Sequence, residues 1–262
     1  MSDRSAQDGG PDAPPRASWR AHMGAVFGFF TILPVAGGPV PLAGAAWAFP
    51  IVGAAIGLAG GIVALVAQAL GLGPWLAAVL AVIAIAVLTG ALHEDGLADT
   101  ADGLGARGGR AARLDAMRDT RIGAFGVLAL VLVVTGRLAA IAELGATDGP
   151  VVGALVVAGA LSRAGLALIL QGVAPARGDG LGHGAGVPSP EAAVIAAVIA
   201  AVIAWVAVGL VAALAALIVA GLTCFAMAHL ARYLFGGHTG DVLGATQQII
   251  ELTVLIAVVA GR

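Results

Sequence analysis

The sequence predicts an all-α protein, a polytopic integral membrane bundle of about seven transmembrane helices. Three observations carry this. Hydrophobic residues make up 60% of the chain and charged residues only 11%, where soluble domains carry about 25% charged residues. A chain of 262 residues so poor in charge cannot cover a surface that faces water. Second, no Asp, Glu, Lys or Arg occurs between Arg20 and Glu94, a stretch long enough for more than one crossing at about 20 residues each. Third, residues 192–228 carry no charge at all. As one helix they would run roughly 55 Å, beyond the hydrocarbon core of a bilayer. The mean hydropathy of +1.02 agrees.

The elements follow in order. Residues 1–20 are polar, rich in Pro and Gly and without periodicity, and read as a disordered cytoplasmic tail. No short apolar core follows a basic start, so the tail does not read as a signal peptide. Residues 21–262 read as a single membrane-embedded domain, expected to be catalytic on the motifs described below. An amphipathic or re-entrant piece covers 21–36, ended by Pro34 and Gly37-Gly38-Pro39. Spans at 45–70 and 75–92 are separated by Gly71-Leu72-Gly73-Pro74. A charged loop, 93–121, follows. Spans at 123–145 and 150–172 flank a turn with Asp148-Gly149-Pro150, and a Gly-rich loop covers 173–190. The uncharged run divides into two spans near Gly209, and the last span is 242–260.

Charge supports this count. All 13 basic residues are Arg. With seven spans, Arg4, Arg16, Arg20, Arg107, Arg110, Arg113, Arg118, Arg121, Arg177 and Arg232 fall on one side, and only Arg262 departs. By the positive-inside rule that side is cytoplasmic, in a cell (inner or plasma) membrane. The lone Cys224 excludes a disulfide framework and a cysteine zinc site.

Chemistry concentrates between Glu94 and Asp119. Asp95, Asp99 and Asp102 stand at i, i+4 and i+7, which on a helix places three carboxylates on one face. Oxygen-only ligands favour Mg²⁺, Mn²⁺ or Ca²⁺ over zinc. Asp115 and Asp119 form a further i, i+4 pair, which either joins a metal site or pairs with Arg113 and Arg118. Arg107 is placed to neutralise phosphate oxygens or to serve as a topological cation. The second cluster is Gly236-Gly237-His238-Thr239-Gly240-Asp241, with Glu251 below it. It is either a backbone cradle for an anion or a tight turn with Thr239 or Asp241 as helix cap. The third holds Ser162-Arg163 and Pro175 to Arg177 with the glycines after it. Arg163 and Arg137 lie inside predicted spans, where an Arg faces a cavity or a partner. His93 adjoins the acids and is placed to orient them or to touch substrate.

Taken together, these pieces resemble the cobalamin synthase family of adenosylcobinamide-GDP ribazoletransferases. The family's His-x-Asp-Gly-Leu-Ala-Asp-Thr-x-Asp-Gly signature is present at 93–103. Its next segment matches Met117, Asp119, Arg121, Gly123 and Gly126, and its late Gly-Gly-x-Thr-Gly-Asp segment matches 236–245. Ser162-Arg163, residues 176–182, and Phe29, Thr31 and Leu33-Pro34-Val35 complete an ordered match over about residues 24–260.

The resemblance implies that adenosylcobinamide-GDP is attacked by α-ribazole or its 5′-phosphate. GMP and adenosylcobalamin, or its phosphate, would result, with Mg²⁺ required, at the last assembly stage of cobalamin biosynthesis. Asp95, Asp99, Asp102 and Asp119 are the expected metal ligands. Glu94 or Asp119 is the expected general base. Arg107, Arg121, Arg163 and Arg177 would hold phosphates, with His93, Thr239 and Asp241 also at the substrate. The partners expected are these substrates and membrane lipid, with no nucleic acid, and either further copies of the chain or other pathway enzymes.

A looser resemblance is to CDP-alcohol phosphotransferases, through Asp99, Asp102, Gly103, Ala106 and Arg107; their later Gly and two Asp are out of register here. A cation-coupled transporter is the reading from another class. It calls for repeats and acids scattered over several spans, and the acids here cluster in one loop.

Overall fold

The computed structural model describes residues 18–35, 40–147 and 149–261. Most of the expected N-terminal tail, the turn at Gly37-Gly38-Pro39, Asp148 and Arg262 lie outside these residues. No strand occurs among them. Six helical segments among these residues are long and apolar enough to cross a membrane, and a seventh span is added if Pro74–Thr89 and Leu92–Gly105 are counted as one bent pair. This agrees with the expected polytopic bundle.

The first helix, α1 (Trp19–Phe30), starts where the Ser18 hydroxyl accepts from the Ala21 amide, so Trp19 and Arg20 are its first turn and not the end of the tail. At 12 residues it is too short to span. A 3₁₀ turn (Leu42–Ala48) runs into α2 (Phe49–Ala69). The chain reverses at Gly71, whose φ is +84°, and enters α3 (Pro74–Thr89) with Pro at its first position.

A 90° bend then separates α3 from α4 (Leu92–Gly105). Gly90 and Ala91 both adopt the left-handed conformation, with φ of 61° and 53°. The Ala91 amide reaches back to Ala86 at 2.8 Å, a Schellman closure of α3. Left-handed backbone costs Ala about 1–2 kcal/mol, and the gain is direction. The charged helix turns away from the axis of α3. Part of the segment expected as a loop at 93–121 is therefore two helices, α4 and α5 (Arg110–Ala116).

Next come α6 (Ala124–Ala146) and α7 (Val151–Gly172), a single turn α8 (Gly180–Gly184), then α9 (Pro190–Val208) and α10 (Leu210–Leu230). The last two are joined at Gly209 with φ +78°, where the sequence places the turn. A π turn (Ala231–Phe235) leads to α11 (Gly240–Ala260).

Burial sorts these helices. α7 and α11 are central, and α2, α4, α6, α9 and α10 pack around them. α9 and α10 bury only alanine-sized stripes (Ala193, Ala196, Ala200, Ala204; Ala213, Ala216, Ala220, Cys224) and turn Val206, Val211 and Phe225 outward. Such outward apolar surface is what lipid requires. The tightest pairing is α2 on α7. Gly53, Gly57 and Gly61 form one small-residue face, as small residues do where membrane helices touch. A Cβ on Gly53 or Gly57 would overlap the carbonyl oxygens of Gly159 or Leu155.

Gly57→Leu should therefore destabilise the bundle by at least about 1–3 kcal/mol, the cost of overpacking. Gly221→Ala, at a position with nothing within 4 Å, should be neutral. Thermal unfolding in detergent compares the two, and equal melting temperatures would refute the α2–α7 contact.

Candidate functional site

α4 and α11 touch backbone to backbone. A Cβ on Gly96 would lie 2.8 Å from the Asp241 carbonyl oxygen, and one on Gly244 would lie 3.2 Å from the Gly96 Cα. This approach sets Asp95 and Asp99 of α4 against Asp241 in the first turn of α11, so the first and second sequence clusters form one site.

The third cluster arrives through a short parallel backbone pairing. The Ala176 amide donates to the His238 carbonyl at 2.8 Å, and the His238 amide to Ala174 at 2.9 Å. Gly237, with φ +154°, leaves room there, since a Cβ would strike Ala174 and Ala176. Arg177 thereby donates to the Asp241 carboxylate at 3.0 Å. Thr239 caps α11, accepting from the Val242 amide at 3.2 Å, and its hydroxyl donates to Asp241.

Asp99 carries the electrical stress of the site. Partial burial, then the carboxylates of Asp95, Asp241 and Asp102, push its carboxyl up to about 6, opposed by Arg177. Asp102 has a different task. Its two oxygens accept from the Gly123 and Gly126 amides at 2.7 and 2.9 Å, so it caps α6. A Cβ on either glycine would run into that carboxylate, which explains the Gly-x-x-Gly spacing.

Several of the expected site residues are engaged with other partners. Asp119 binds the amide and guanidinium of Arg121 in its own turn, at 2.9–3.1 Å, which holds its carboxyl down at about 2. Arg121 is exposed, and the pair does not join the acids of α4. Arg107 is exposed and makes no ion pair among the described residues.

Arg163, expected at a phosphate, is 1% exposed and donates to Glu251 at 3.0 Å and to Ser162 at 3.2 Å. Glu94, expected as a general base, accepts from Arg137 at 3.3 Å and from Gln248 at 3.0 Å. Arg137, fully buried, also donates to Gln248 and to Glu251, at 2.9 and 2.5 Å. Gln247 bridges Ser162 and Glu251. These side chains form a buried network under the site that joins α4, α6, α7 and α11, with two Arg balanced by two Glu. Sequence reading flagged the two Arg but missed Gln247 and Gln248. The available signal was Glu251, a lone acid in an apolar span.

Two cavities meet at Leu181, Gly240 and Asp241. One is apolar, walled by Phe30, Phe49, Leu166 and Leu170, with His93, Asp95 and Asp241 also in its lining. The other is polar, lined by Met117, Arg118, Arg177, Asp179 and Thr239. Arg118 donates there to both carboxylate oxygens of Asp179, at 2.7 and 2.6 Å.

Among the described residues, no three His, Cys, Asp or Glu side chains converge as a ready metal cage. Burial and then the neighbouring carboxylates raise Asp99, and a set of oxygen donors only fits a different arrangement. Mg²⁺ is characteristically held by one or two carboxylates and completed by substrate phosphates and water.

The profile of a family described as Cobalamin-5-phosphate synthase matches residues 22–259. The chain is similar to an adenosylcobinamide-GDP ribazoletransferase of Azorhizobium caulinodans, 44% identical over 91% of this chain and 95% of the relative. Similar too are proteins of that name from Bradyrhizobium diazoefficiens, 44% identical over 88% of this chain and 90% of the relative, and from Xanthobacter autotrophicus, 45% identical over 81% and 83%. No solved structure matches.

Two outcomes follow from the electrostatics. Asp99 binds its proton more tightly folded than unfolded, so between its ordinary 3.8 and about 6 stability falls as pH rises, and the cost persists above that window. Metal-free Asp99→Asn should melt above the parent near neutral pH and match it at about pH 4; a lower melting point at neutral pH would mean that the charge is already compensated. Glu251→Leu leaves two buried Arg without their shared partner and should cost about 3–5 kcal/mol, read from unfolding in detergent. A loss under about 1 kcal/mol would mean that the network is solvated.

Proposed function

This chain belongs to the cobalamin-5-phosphate synthase family, and from that premise we propose that it is the transferase that joins adenosylcobinamide-GDP to ribazole in cobalamin biosynthesis. The acceptor is ribazole or its 5′-phosphate. The observation that carries the reading at the level of residues is the meeting of Asp95 and Asp99 with the Asp241–Arg177 pair, at the junction of a polar and an apolar cavity.

In the reaction, a ribose hydroxyl of the acceptor attacks the corrinoid-side phosphorus of the pyrophosphate. The bond from that phosphorus to the GMP oxygen breaks, GMP leaves with the electron pair, and the hydroxyl proton passes to a carboxylate. Asp99 suits that last role, because a carboxyl held near 6 accepts a proton more readily than an ordinary one. Glu94 and Asp119 are already committed to Arg137 and Arg121. Arg177 and Arg118 line the polar cavity, each using one guanidinium nitrogen on Asp241 or Asp179, and their other N–H groups would donate to the pyrophosphate. Asp95 and Asp241 would hold Mg²⁺, which when bound neutralises charge on the pyrophosphate and on the leaving GMP. The concentration of Arg in the loops of this face supports assigning it to the cytoplasmic side of the inner membrane.

The test is turnover in proteoliposomes with adenosylcobinamide-GDP, ribazole phosphate and Mg²⁺, following GMP release and corrinoid product. Turnover should stop on chelation and fall roughly 100-fold or more in Asp95→Asn and Asp241→Asn, with Gly221→Ala unaffected. Transfer from a CDP-alcohol in place of the corrinoid would overturn the assignment.

A further inference from the structure

The geometry points to the apolar cavity as the seat of the flat base of the nucleoside acceptor, with His93 as the group that hydrogen-bonds it. The inference rests on the reaction proposed above and deepens it, since that reaction sets the donor's pyrophosphate at the polar cavity and leaves the acceptor's base without a place.

His93 is 2% exposed and lines the cavity. Its ring stacks on Phe30, with centroids 5.8 Å apart and planes at 22°. Phe30 in turn meets Phe49 edge to face at 5.0 Å, so the aromatic corner is rigid. Both ring nitrogens of His93 lack a hydrogen-bond partner. A buried polar group left in that state costs about 1–3 kcal/mol, a loss that a ligand with the complementary atom restores.

The candidate ligands differ in what they bring. Guanine and the phosphates of the donor carry polar edges that Leu166, Leu170 and the Phe walls cannot satisfy. The corrin ring is too large to enter. An acyl chain suits the walls but offers His93 nothing. The benzimidazole of ribazole is planar, methylated and apolar, with a single unsubstituted ring nitrogen whose lone pair accepts a hydrogen bond. A neutral imidazole has one N–H to donate. With the base seated there, its ribose faces Asp95 and Asp241, which line the same cavity.

The experiment uses the full chain in proteoliposomes, with KM measured for each substrate and binding of labelled ribazole measured by equilibrium dialysis. His93→Leu should raise KM and Kd for ribazole about tenfold, the worth of one buried hydrogen bond, and leave KM for adenosylcobinamide-GDP unchanged. His93→Gln, which keeps an N–H donor, should recover most of the loss. Ala185→Leu narrows the same cavity without touching a polar atom and should also weaken ribazole. If the variants instead raise KM for adenosylcobinamide-GDP, the seat is wrong and the reaction stands. If ribazole binds all three as it binds the parent, the proposal is overturned. If the parent binds ribazole, loses it in His93→Leu, and yet releases no GMP, the reaction fails and the seat stands. Neither binding nor turnover in the folded parent overturns both.

Discussion

Glu251 between Arg137 and Arg163 is the interaction on which the bundle's arrangement depends. A guanidinium inside an apolar core is tolerated only with an opposite charge in reach. Here one carboxylate serves two guanidinium groups, one from α6 and one from α7, while Glu94 brings in α4. Apolar helices slide against one another at little cost, because lipid and side chain are equally greasy. A shared carboxylate does not slide. The network fixes the register of four helices, and the site is built on two of them.

The bundle itself was legible because its causes are local. Uncharged length marks spans, and Gly209 and Gly71 mark turns. The alternation of Arg-rich and Arg-poor connections orders them. Much of the site was legible as well: Asp95, Asp99 and Asp241 do assemble, and Arg177 does reach them. The sequence could not reveal which charges were already spoken for. Asp102 looks like a third metal ligand by spacing, and the fold adds a second task, since both its oxygens accept from the amides of Gly123 and Gly126. Asp119 falls to Arg121, two residues away, and Arg163 to Glu251, far along the chain. Spacing gives the face of a helix, while partnership depends on what the fold brings opposite that face.

The two cavities differ in solvent character. The polar one lies beside Arg118 and Arg177 and suits a charged ligand. The apolar one is sunk among aromatic and Leu side chains and suits a largely apolar one. Gly240 and Asp241 belong to both. One capped turn of α11 is thus a wall shared by two chemically unlike cavities, and Gly96 against Gly244 keeps that wall against the acids of α4.

α3 has only 16 residues, about 24 Å at the helical rise, against a hydrocarbon core of about 30 Å. A mismatch of that size is relieved by thinning of the bilayer, by flanking side chains that reach for the interface, or by association of helices. The chain leaves α3 by the sharp bend at Gly90 and Ala91 straight into α4, so the carboxylates of α4 stand at the end of an apolar helix too short to cross by itself. The depth at which those acids meet the lipid headgroups is therefore tied to the thickness of the surrounding bilayer.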